Sequence, residues 1–117
     1  MRIDANANVG PTVYEDFEFE PTLERLASEL EHAGIDGAVV APLKPPSFDF
    51  DEANERLADR IADRDSWYGV GRIDPRVDDA AEHVDRAIDD YGLSGVKLHP
   101  WEETYPLSSP MVEPVLD

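Results

Sequence analysis

The sequence predicts an α/β fold built from parallel βα units, the first four of a TIM (βα)8 barrel. Three observations carry this. Short apolar segments centred near residues 4, 39, 70 and 97 recur at intervals of roughly 30 residues, the spacing of a βαβ unit. An amphipathic helical pattern lies between each pair, which makes the sheet parallel with right-handed crossovers. A doubly wound open sheet shares this pattern, but Asn8-Val9-Gly10-Pro11 lacks the glycines of a phosphate-binding loop after the first strand, so the barrel is favoured.

The elements follow in order. Arg2 to Asn6 reads as a strand, and after a loop containing Gly10 and Pro11 a helix opens at Pro21, a favoured first-turn residue. Leu23, Leu26, Ala27, Leu30 and Ala33 recur on one face of it, and Gly34 supplies the C-terminal cap. Ala38 to Ala41 is a buried-type strand stopped by Pro42, followed by a loop with Pro45, Pro46 and Phe48. The next helix runs from about Asp51 to Arg64, with Ala53, Leu57, Ile61 and Ala62 inward. Trp67 to Ile73 is the third strand and Asp74-Pro75 a turn. Val77, Ala80, Ala81, Val84, Ala87, Ile88 and Tyr91 then keep a helical period as far as Gly92. Gly95 to His99 is the fourth strand, ended by Pro100, and Glu113-Pro114-Val115-Leu116-Asp117 reads as the start of a fourth helix. A barrel of this kind needs about 250 residues. Residues 1–117 are therefore expected to be a single domain that is the N-terminal half of a longer barrel, the alternative being a natural half-barrel that covers its strand edges as a homodimer.

Charge narrows the partners. Ten Lys+Arg against 27 Asp+Glu give a net charge of −17, while 41% hydrophobic residues suffice for a core. Such a surface repels phosphate backbones and anionic headgroups, so neither nucleic acid nor membrane is expected as partner. No apolar run approaches the roughly 18 residues of a membrane span, and Met-Arg-Ile-Asp is no secretory signal, which points to the cytoplasm. With no cysteine, a metal would have to be held by His, carboxylate or amide. Lys44 and Lys97 are the only lysines beside eight arginines, the look of an acidic, halophilic protein surface in a high-salt cytoplasm.

In a parallel barrel the working residues lie at the C-terminal strand ends, here Asn6 with Asn8, Pro42 to Lys44, Arg72 with Asp74, and Lys97 with His99. Alternation puts Val96 and Leu98 toward the helices, and Lys97 and His99 toward the barrel mouth. A lysine there must be paired or perform a function. The functional reading is a catalytic pair, Lys97 holding a carboxylate and His99 serving as general acid/base or metal ligand. The structural one is a core histidine with Lys97 bridging to Asp4 or Asp74. Arg72, Asp74 and Trp101, with Tyr105, are candidate substrate-binding residues around the mouth. His32 and His83 read as exposed helix residues.

Ile3-Asp4-Ala5-Asn6-Ala7-Asn8, Ala33-Gly34-Ile35-Asp36-Gly37-Ala38-Val39-Val40, Gly71-Arg72-Ile73-Asp74-Pro75 and Gly95-Val96-Lys97-Leu98-His99-Pro100 occur in that order. Together they resemble the first half of a metal-dependent hydrolase of the amidohydrolase-2 (amidohydrolase-related) family. The resemblance implies a (βα)8 barrel with a divalent metal, zinc foremost, that hydrolyses or decarboxylates small carboxylated or cyclic substrates. Where the family has His-x-His after strand one, this chain has Asn6 and Asn8, which keeps the spacing and loses the imidazoles. Amide oxygens are weak zinc donors. The Asn pair thus marks the metal position and also opens the alternative of a metal-free, non-catalytic relative that acts as a ligand-binding or half-barrel assembly module. As strand-end asparagines, Asn6 and Asn8 could equally bond loop backbone.

Overall fold

The computed structural model describes residues 1–12 and 21–117. Four strands, β1 (Ile3–Val9), β2 (Gly37–Pro42), β3 (Trp67–Arg72) and β4 (Gly95–Lys97), form one parallel sheet in the order β1-β2-β3-β4. Helices α1 (Leu23–His32), α2 (Phe50–Ile61), α3 (Ala80–Asp85) and the short α4 (Glu113–Leu116) alternate with or follow them. Among the described residues, the fold class is the α/β fold of parallel βα units expected from the spacing.

The core lies on one side of the sheet. Ala7, Val9, Ala38 and Val40 pack against Leu23 and Leu30 of α1, Leu57 and Ile61 of α2, and Ala87 and Leu93 beyond α3. A smaller cluster of Ile73, Ala80 and Val115, with Val96 and Leu98, carries the same layer to α4. The opposite face is more open along its middle, where Val39 and Val70 are half-buried and Tyr68 is 46% exposed.

Several boundaries differ from the pattern, each for a local reason. β1 continues through Asn8 to Val9 because Ala7, Asn8 and Val9 pair with Val40, Ala41 and Pro42, past a bulge between Asp4 and Ala7. Helix α1 opens at Leu23, not Pro21, since the Thr22 hydroxyl accepts the Arg25 backbone N–H at 3.1 Å as N-cap. Residues 13–20 of the preceding loop lie outside the described residues. Asp49 caps α2 in the same way through the Glu52 N–H at 2.9 Å, which shifts the inward stripe to Phe50, Asn54, Leu57 and Ile61 and leaves Ala62 exposed. Val77 is exposed ahead of α3, and Arg86–Asp90 widens into a π-helical segment, so that Ala87 is buried while Ile88 turns outward. β4 ends at Lys97, two residues short of the pattern. His32 is exposed, but His83 is half-buried, its Nε2 at 3.2 Å from Asp79.

Two glycines are required by close approach. A Cβ on Gly71 would stand 3.0 Å from the Ala87 methyl, so its absence lets the π-helical segment settle on β3. A Cβ on Gly37 would lie 2.0 Å from the Ser66 carbonyl oxygen, and Ser66 itself sits at φ 62°. Backbone cannot yield as a flexible side chain does. Gly37→Ala should therefore destabilise the fold by about 2 kcal/mol through forced displacement of the β2–β3 edge. An unchanged urea midpoint would count against this packing.

Candidate functional site

The C-terminal strand ends hold two polar groupings. The first is formed by Lys97, Asn6 and Asn8. Arg72 and Lys97 are register partners, so their side chains rise from the same face, while Val96 and Leu98 pack on the helix side. From there the Lys97 ammonium crosses to the other edge strand and donates to Asn6 Oδ1 at 3.0 Å and Asn8 Oδ1 at 3.4 Å. Three strand spacings of a flat sheet amount to about 14 Å. An extended lysine and an asparagine close that distance because the sheet curls toward this face. Among the described residues no carboxylate lies within ion-pair distance of Lys97, so the bridge to Asp4 or Asp74 is not made. Asp4 instead turns Oδ1 to the Asn6 backbone N–H at 3.0 Å.

The second grouping is buried and charged. Arg72, at the end of β3, reaches Glu102 and Glu103 with one guanidinium nitrogen, the latter at 2.6 Å. Glu103 is fully buried. Lys44, two residues after β2, lies 3.7 Å from Glu103 Oε1 and donates to the Glu102 carbonyl at 3.0 Å. Asn54 of α2 is buried and grips the Arg72 backbone, accepting its N–H at 2.7 Å and donating to its carbonyl at 2.9 Å. The backbone groups of Gly69 and Ile73 face β4, so those of Arg72 face the other way, beyond the last β2 pairing at Gly69. The amide of Asn54 thus replaces a missing strand. Arg72 completes its surroundings over the Phe50 ring, 5.1 Å from its centroid.

His99 Nδ1 accepts the Glu102 backbone N–H at 3.3 Å, which in the neutral ring puts the proton on Nε2, 3.7 Å from Glu102 Oε1. In this tautomer His99 presents an N–H donor and no free lone pair. Asp74 is closed on Arg76, taking its Nε and one terminal nitrogen at 2.9 Å each. Burial alone would raise the Asp74 carboxyl, but the Arg76 hydrogen bonds and charge outweigh it and hold the group below its ordinary value. Trp101 is 82% exposed, whereas Tyr105 is buried. Burial, with Glu103 and Asp74 nearby, raises the Tyr105 phenol above its ordinary value. The strand ends thus bring Lys97, Asn6 and Asn8 together, keep Arg72 and His99 beside the buried acids, and leave Asp74 and Trp101 apart.

Asn54, Glu102 and Glu103 do not stand out by pattern, and Lys44 stands out only by its place after β2, with no role attached. Two signals pointed to them: Lys44 is the other lysine of a lysine-poor chain, and Asn54 interrupts the apolar stripe of α2.

The donors do not match the divalent metal that the resemblance implies. The amide oxygens of Asn6 and Asn8 are turned on an ammonium group, and among the described residues no three His, Cys, Asp or Glu side chains are grouped to hold an ion. Among those residues, too, no helix is long and apolar enough to cross a membrane. No protein-family profile, curated protein or solved structure matches the chain.

Proposed function

We propose that this chain is a metal-free relative of the amidohydrolase-type barrels that binds a small carboxylated molecule at the C-terminal end of its sheet. The observation that carries the reading is Lys97, a cation held in place by two neutral amides where the other charged side chains of the strand ends are ion-paired. Asn6 and Asn8 orient the ammonium without neutralising it, so its charge remains for a ligand. The barrel reading is supported by the sequential strand order, the single helix layer and the curl of the sheet toward an open face bearing Val39, Tyr68 and Val70. That face suits completion by further βα units, or by a second copy as a half-barrel dimer.

Benzoate binding by isothermal titration calorimetry tests the ligand reading. A charge-assisted hydrogen bond is worth about 1.5–3 kcal/mol, so Lys97→Met should weaken benzoate at least tenfold with the fold intact by circular dichroism. Equal affinity in the variant would remove Lys97 from the site.

Hydrolysis of the bound molecule is a second reading, favoured by the approach of His99 to Glu102. In it, a water adds to the carbonyl carbon of the ligand and gives its proton to Glu102, the His99 Nε2–H donates to the carbonyl oxygen, Lys97 holds the carboxylate, and Glu102 passes the proton to the departing group as the bond to it breaks.

A further inference from the structure

We infer that the site selects a ligand carrying a single negative charge and rejects dicarboxylates. This deepens the carboxylate reading above and rests on it.

The selection follows from how the charges are matched. Around the strand ends, Lys44 and Arg72 face Glu102 and Glu103, and Arg76 closes on Asp74. Among the described residues these three cations and three carboxylates neutralise one another, and Lys97 is left on amide supports with no carboxylate at ion-pair distance. One carboxylate completes the balance.

A second negative charge on the same ligand finds no such place. Toward β3 and the loop after β4 it meets Glu102 and Glu103, whose partner Arg72 is already held by both acids and by packing over Phe50. Toward β1 it meets Asn6 and Asn8, whose amide oxygens are turned on Lys97 and which carry no positive charge. After β4, His99, with Nδ1 taken by the Glu102 N–H, turns its Nε2–H toward Glu102, a single donor that suits a carbonyl or hydroxyl better than a second anion. The net charge of −17 acts in the same direction, because in the same potential a dianion meets twice the electrostatic energy that a monoanion meets.

Two probes of one shape separate these effects from size. 4-Acetylbenzoate and terephthalate share a para-substituted ring and differ in charge. Calorimetric titration of the chain at about 0.1 M salt should show 4-acetylbenzoate binding at least tenfold more tightly, and Glu102→Gln should narrow that difference by removing one of the opposing carboxylates. Raising the salt to about 1 M should narrow it in the unaltered chain as well, since the Debye length falls to about 3 Å. Equal affinity of the two probes would overturn the charge selection and leave the carboxylate site standing. A difference that persists unchanged in both Glu102→Gln and molar salt would overturn it too, because shape would then be discriminating. If neither probe binds, the carboxylate reading fails along with the selection.

Discussion

Arg72→Met should cost about 3–5 kcal/mol, enough to lower Tm by roughly 15 °C or more for a domain of this size. The reason is what remains behind. Glu103 has no exposure to solvent, its Oε1 would lose a contact of 2.6 Å, and Lys44 at 3.7 Å is too distant to replace a guanidinium. Its Oε2 already has no hydrogen-bond partner among the described residues. A carboxylate stripped of its partner in the interior cannot recover hydration. Arg56→Met is the natural comparison, because Arg56 makes an equally short contact with Glu52, 2.7 Å, on an exposed face of α2. That change should stay within about 0.5 kcal/mol. Adding Glu103→Gln to Arg72→Met should return part of the loss, since the charge is what the interior cannot hold alone. Urea unfolding at fixed salt measures all three, and similar midpoints for the Arg72 and Arg56 variants would mean that the buried network contributes little.

Zinc binding supplies the second large effect. Installing imidazoles through Asn6→His and Asn8→His should give only weak zinc binding while Lys97 stays, and the further change Lys97→Met should strengthen it by a hundredfold or more. The ammonium stands 3.0 Å from Asn6 Oδ1 and 3.4 Å from Asn8 Oδ1, so a metal ion held by side chains at those two positions would sit almost upon it. Even at an effective dielectric constant near 20, two unit charges 4 Å apart repel by about 4 kcal/mol, and a divalent ion feels more. Competition titration with a chromophoric chelator reads the affinities. Equal zinc affinity in the double and triple variants would show that Lys97 swings aside at little cost, and the reading of Lys97 as a fixed resident cation would fall.

Much of the fold was legible because period and spacing are direct consequences of element geometry. The parallel order of four strands, the helices between them and the orientation of Val96 and Leu98 away from Lys97 follow from such patterns. Boundaries were less legible where capping decided them, as at Thr22 and Asp49, or where the chain chose a π-helical turn to settle Ala87 on Gly71. In the site, the isolation of Lys97 among arginines was readable, and so was the strand-end placement of Asn6 and Asn8. Their mutual contact was not, because it depends on the curl of the sheet. Glu102 and Glu103 were hidden for a different reason: in a chain with 27 acids, nothing local separates a half-buried and a fully buried carboxylate from many that are solvated. Lys44 is as rare a residue type here as Lys97, and it too lies at a strand end against polar partners.

The contact between Lys97 and Asn6 joins residues 91 positions apart, the first strand to the last. In kinetic terms it belongs to the class of contacts whose loop-closure entropy must be overcome before they contribute, so it forms late. A chain in which only the first three strands have assembled has no Lys97 ammonium over Asn6 and Asn8, and so lacks the site proposed for a carboxylate. Occupancy of the proposed carboxylate site would then report on the arrival of β4, and a ligand held there would slow unfolding by holding β4 to β1.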